Sequence, residues 1–178
     1  MRALRSVRSV LLGLGLIGSA LMAAPAMAGS TSGTFTVTAN VVASCKIGTV
    51  SGIAFGNYDP ANVNATAPLN GQGSIAVNCT KSTVAAVSLD QGVNATSSST
   101  CAAPSRQMIS GSNKLAYGIY MDSADTSPWG CASGSNTASF TAASALTANT
   151  LTTYGSVPGG QDVPAGAYSD TVTFTVTF

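Results

Sequence analysis

Four cysteines, Cys45, Cys79, Cys101 and Cys131, are the residues of this 178-residue chain best suited to chemistry. Thiolates either hold a metal or pair with one another. A structural zinc site draws on closely spaced cysteines and on histidine. This chain has no Cys-x-x-Cys and no His, so metal ligation is disfavoured and two disulfides are expected. Three pairings are open. Cys45 with Cys79 and Cys101 with Cys131 is favoured because each bridge then closes a separate loop. Each such loop, about 30 residues long, contributes roughly 3–4 kcal/mol through chain entropy.

The remaining reactive groups are sparse. There is no Glu, and the six carboxylates, Asp59, Asp90, Asp122, Asp125, Asp162 and Asp170, are scattered. Only Asp122-x-x-Asp125 is a close pair. Paired carboxylates can hydrolyse a glycosidic bond, one as acid and one as base, or hold Ca²⁺ with further oxygen ligands. Here they fall in a stretch that reads as a solvated turn after a strand, so the chain is expected to be neither an enzyme nor a holder of any metal or cofactor. Tyr117, Tyr120 and Trp129 raise a stacking platform for sugar, although the strand position of Tyr117 favours the core. Asn64-Ala65-Thr66, Asn78-Cys79-Thr80 and Asn94-Ala95-Thr96 fit the glycosylation triplet and read as ordinary turn and strand residues.

The elements that must position these residues are strands. Residues 1–28 stand apart: Arg2, Arg5 and Arg8 precede an apolar run, and Ala26-Met27-Ala28 matches a cleavage site, so they read as a signal peptide cut before Gly29. The apolar run is shorter than the ~20 residues a helical span needs, and no second run approaches that length, so no membrane span is expected in the mature chain. Beyond the peptide, Lys46, Lys81, Arg106 and Lys114 face six aspartates, a balance of about −2. That excludes the basic footprint of nucleic-acid binding. Thr, Ser, Ala, Gly, Asn and Val dominate, with few charges and no Glu, which disfavours long helices and favours strands joined by turns.

Short alternating segments recur along the chain. Ile47, Val50, Ile53 and Phe55 form a strand broken by glycines, followed by a loop over 57–71. "GSIAVNCT" (73–80) and "STVAAVSLD" (82–90) alternate on either side of a tight turn and predict a hairpin. "RQMIS" (106–110) is a short strand, and "KLAYGIYMD" (114–122) places Leu115, Tyr117, Ile119 and Met121 on one face. "NTASFTA" (136–142) and "SALTANTLTTYGSV" (144–157) add two more. The expected class is an all-β sandwich.

Both ends of the mature chain alternate between threonine and apolar residues. Residues 34–43 put Phe35, Val37, Ala39 and Val41 on one face. The closing stretch does the same with Val172, Phe174, Val176 and Phe178, and no downstream residue pairs with its outer edge. An open edge beside an apolar groove is an aggregation hazard, which a strand supplied by another copy would remove. An intramolecular first strand is the alternative. Ten residues extend about 33 Å, enough for a full sandwich edge.

The chain resembles the spore coat protein U family, which includes subunits of archaic chaperone–usher pili of the Csu type. The likeness rests on "TVTANVVASC" before Lys46, "FGNYDP" (55–60), "GSIAVNCT", "LAYGIYMD" followed by Trp129-Gly130, and "PAGAYSDTVTFTVTF" (164–178). The last, with Gly166-x-Tyr168-x-Asp170 before the alternation, is the most specific. Cys101 and Cys131 are not required by that pattern. The resemblance implies an incomplete immunoglobulin-like sandwich over 45–178, completed by donor-strand complementation. It implies a donor segment within 29–44 and a groove bordered by Val172, Phe174, Val176 and Phe178. It also implies a homopolymer, a periplasmic chaperone for which the carboxylate of Phe178 is an anchor, an outer-membrane usher, and a secreted surface pilus serving attachment and biofilm formation. A stalk subunit is expected rather than a two-domain tip adhesin. A monomeric secreted sandwich that binds carbohydrate or another surface ligand is the alternative.

Overall fold

A computed structural model describes residues 27–178. Residues 1–26, which hold nearly all of the signal-peptide reading, lie outside the described residues. Two units are distinguished, Met1–Ala39 and Asn40–Phe178. In the first, residues 27–39 carry no helix or strand.

The second unit holds eight strands: β1 (Cys45–Ser51), β2 (Leu69–Cys79), β3 (Val84–Leu89), β4 (Arg106–Ser110), β5 (Asn113–Tyr120), β6 (Ala138–Thr141), β7 (Asn149–Val157) and β8 (Phe174–Thr177). They form a five-stranded sheet, β1-β2-β7-β5-β4, and a three-stranded sheet, β6-β3-β8. All paired neighbours are antiparallel. The alternation read from the sequence is the alternation of burial. Ile75, Val77 and Cys79 on β2, Ala85, Val87 and Leu89 on β3, and Leu115, Tyr117 and Ile119 on β5 all turn into one core. Period-two patterning leaves each strand a single apolar face, and two such faces bury each other. The all-β class is as expected.

The expected hairpin is not formed. β2 pairs with β1 and β7, so both its edges are occupied, while β3 pairs with β6 and β8. Residues 80–83 are a corner between sheets. The Thr80 amide donates to Ser44 O at 2.9 Å and the Ser82 amide to Ala142 O at 2.7 Å, with Ser82 left-handed at φ 66°. The same short polar turn serves a hairpin or a corner, and the ladders on either side decide which.

Three boundaries also differ from the sequence reading. β2 begins at Leu69, inside the stretch read as a loop over 57–71, because residues 69–71 pair with β7. β1 ends at Ser51, and Ile53 and Phe55 follow as irregular chain packed on the core. Gly71 and Gly155 face each other across β2 and β7. A Cβ on Gly155 would meet Phe55 Cζ at 2.8 Å, and one on Gly71 would meet Ile53 Cγ2 at 2.9 Å. The glycine pair therefore makes the shelf on which Ile53 and Phe55 lie. β7 begins only at Asn149, so residues 142–148 form a loop.

Candidate functional site

β1 is the last strand of one sheet and β8 the last of the other. Each has one hydrogen-bonded neighbour, and their outer edges flank an open groove. Cys45 lies opposite Cys79, Thr177 opposite Ala86 and Phe174 opposite Leu89. Because the corner at 80–83 joins Cys79 to Val84, β1 and β8 run in opposite directions along this groove.

At the pole near the corner, Cys45, Lys46, Ile47 and Val77 face the stretch from Phe174 to Phe178 around a cavity of about 320 Å³. Toward the far pole, Val50, Ile53 and Phe55 face Tyr168, Val172 and Phe174 across about 340 Å³, with Ile75, Leu89 and Ile119 on the floor. The rim is unusually open for apolar residues. Ile47 is 51% exposed and Phe178 57% exposed. A sandwich that leaves its core open between two unpaired strand edges lacks one strand's width of packing and of hydrogen bonds.

Each rim has its own support. On the β1 side the Cys45–Cys79 disulfide ties the strand to β2, and a register shift between Ile47 and Val50 bends it away from a regular ladder. On the β8 side the chain is fixed through Asp170. That carboxylate accepts from the Tyr117 hydroxyl at 2.7 Å and from Asn94 Nδ2 at 2.9 Å. Burial, then the bond to Asp170, pushes the Tyr117 phenol well above its ordinary value. Asp90 extends the same brace, accepting from the Thr173 amide at 2.9 Å.

Arg106 was not singled out by its sequence, yet it is only 2% exposed. Its guanidinium donates to the carbonyls of Leu89, Asp90 and Trp129. Burial is the largest influence on it and lowers its pKa. The Trp129 indole in turn donates to Val87 O at 2.9 Å. A lone arginine opening a strand gave no sign of this, because its partners are main-chain carbonyls that a sequence does not display.

The other candidates are placed as follows. Phe35, Val37, Ala39 and Val41 are exposed and belong to no strand. Val172 and Phe174 line the far part of the groove, and Phe174, Val176 and Phe178 the near part. The second disulfide joins Cys101 to Cys131. Trp129 is 1% exposed and Tyr117 is buried in the core, so the three aromatics make no stacking platform. Asp122 is not paired with Asp125. It accepts from the Thr126 and Ser127 amides at 3.1 and 2.7 Å, from the Ala124 amide and from the Thr126 hydroxyl. These bonds, that of the Thr126 amide foremost, hold its pKa down to about 2. A carboxylate so committed is a loop brace, unsuited to relaying protons. Of the three glycosylation triplets, Asn64 is buried and bonded to Ala67 O and the Asp59 amide.

Comparison with known proteins gives three findings. The family model described as Spore Coat Protein U domain matches residues 31–175. Protein U of Myxococcus xanthus is 37% identical over 161 residues, covering 86% of this chain and 88% of that protein. Among solved structures, the CsuC–CsuE chaperone–tip adhesion subunit pre-assembly complex from the archaic chaperone–usher Csu pili of Acinetobacter baumannii aligns with a TM-score of 0.49 at 24% identity. That alignment covers 78% of this chain, which spans 40% of the matched one.

Proposed function

The chain belongs to the Spore Coat Protein U domain family, and on that premise we propose that it is a structural subunit of a secreted surface fibre of the pilus kind, polymerised by donor-strand exchange. The observation that carries this reading is the groove between β1 and β8, two unpaired edges with an apolar floor. Its counterpart is the segment 34–43, which alternates apolar and polar residues and pairs with no strand. Inserted into a neighbour, it would hydrogen-bond along a bare edge and bury Phe35, Val37, Ala39 and Val41. Val172, Phe174, Val176 and Phe178 border the acceptor groove.

The domain boundaries follow from this: a signal peptide over 1–28, a donor segment within 29–44, and an acceptor sandwich over 45–178. An apolar groove open during export needs a temporary occupant, so a periplasmic chaperone is the expected carrier and an outer-membrane usher the expected site of polymerisation. Attachment to surfaces and biofilm formation are the roles such a fibre serves. The monomeric carbohydrate-binding alternative loses its stacking surface with the burial of Trp129 and Tyr117.

The test is electrophoresis of sheared surface material, non-reduced, with and without heating. Wild type is expected to give a ladder that collapses on heating. Val37→Asp would place an unpaired charge in an apolar groove and should give no ladder while the subunit is still exported. A ladder from that variant, or from one lacking residues 34–43, would remove the segment from the donor role. A lone monomer band from wild type would sink the fibre reading.

A further inference from the structure

We propose that successive subunits also meet pole to pole, with Leu146 of each incoming subunit seated in a cleft at the far pole of the subunit it complements; this rests on the strand-exchange reading. The argument starts from direction. β1 and β8 run oppositely, so an inserted strand is antiparallel to one and parallel to the other. β8 offers a regular edge, whereas β1 is interrupted between Ile47 and Val50. Antiparallel ladders are the stronger kind, so the donor runs against β8. Its Phe35 end then lies at the near pole and its Val41 end at the far pole.

Chain length sets the next step. Only Ser44 separates the donor segment from Cys45 and the next sandwich. Two residues reach about 7 Å at most. The donor's own β1 must therefore begin directly beyond the acceptor's far pole, and its near pole is pressed against that end. The link leaves in the right direction. The Thr80 hydroxyl donates to Val42 O at 3.1 Å and its amide to Ser44 O at 2.9 Å. These bonds hold residues 42–44 beside the corner at 80–83, next to the start of β1.

The two poles are complementary. The near pole consists of the corner at 80–83 and the loop 142–148, tied together by the bonds between Ala142 and residues 82 and 83. On that loop Leu146 is 95% exposed, its amide braced by the Ser144 hydroxyl at 3.1 Å. The far pole carries a cleft of about 730 Å³ with a mixed lining, Leu69 and Val163 beside Tyr58, Asp59 and Pro164. It shares Ile53, Phe55, Met108 and Tyr168 with the donor groove, so it opens where the donor strand ends. The contact is heterologous and head-to-tail, the kind that propagates an open fibre when the rotation between copies does not close a ring.

A photoreactive benzophenone amino acid placed at position 146 of the full chain tests the contact. Position 146 is solvent-exposed, so folding is not at risk. Irradiated fibres should yield cross-linked dimers whose peptides map to residues 53–69 or 157–168 of the neighbour. A normal heat-sensitive ladder without that cross-link, or with one mapping to the neighbour's residues 80–83 or 142–148, would overturn the pole contact and leave strand exchange standing. Loss of the ladder in wild type would overturn strand exchange itself, and the pole contact with it.

Discussion

At the scale of single residues, the carboxylates of this protein act as braces. Asp122 gathers the amides of a six-residue turn, and Asp90 and Asp170 fix the approach to β8. The depressed pKa of Asp122, near 2 against 3.8 for the unperturbed group, makes a statement about acid stability. A carboxylate whose folded pKa is below its unfolded value stabilises the fold above the unfolded pKa, and that contribution is lost as pH falls through the folded one. Asp59 and Asp90 are shifted in the same direction, Asp59 through bonds from Asn62 and Ala61, and Asp90 because burial, which raises it, is outweighed by bonds from the Gly92 and Thr173 amides. Thermal midpoints should therefore fall between about pH 4 and pH 2. Asp122→Asn should start lower at neutral pH and lose less over that window. An Asp122→Asn protein with the same acid slope as wild type would show that the turn is held by something other than the carboxylate.

At the scale of elements, the two disulfides have different duties. They close loops of similar length, with sequence separations of 34 and 30, so chain entropy gives each about 3–4 kcal/mol. Cys45–Cys79 joins β1 to β2 at the rim of the groove. Cys101–Cys131 secures loops behind Trp129, where the Cys131 amide also donates to Cys101 O. Cys45→Ala with Cys79→Ala is expected to abolish the ladder and shift the denaturation midpoint. Cys101→Ala with Cys131→Ala is expected to shift the midpoint by a similar amount and keep the ladder at low temperature. Equal loss of polymer from both pairs would mean stability alone governs assembly. The elements also show what a sequence makes legible. Period-two burial on β2, β3 and β5 was readable because each strand faces one core. The β2–β3 relation was not, since a four-residue turn carries no mark of whether its strands share a sheet. The β1 rim was hidden for a different reason: Ile53 and Phe55 lie on Gly71 and Gly155, residues far away in sequence whose contribution is an absent side chain.

At the scale of the whole molecule, the question is which force would hold one copy to the next. Charged residues are 7% of the chain, and among the described residues Lys46 is the one charged side chain lining the near part of the groove, where the Phe178 carboxylate also lies. Burying Phe35, Val37 and Val41 offers on the order of 5–8 kcal/mol before any hydrogen bond is counted. An exposed ion pair offers about 0–1 kcal/mol. In a strand-exchanged fibre, apolar burial and a ladder on β8 would therefore dominate, and neither is weakened by screening, which at about 1 M salt shortens electrostatic reach to roughly 3 Å. Under the strand-exchange proposal, release would require the inserted strand to leave its groove as a unit, so the link would persist through its slow dissociation rate. Fibres held for hours in about 1 M NaCl should give the same unheated ladder as fibres in dilute buffer. Heating or guanidinium, which melt the acceptor sandwich, should release monomers. A ladder that shortens in salt at room temperature would show that charge pairs on the subunit surfaces, and not an inserted apolar strand, join the copies.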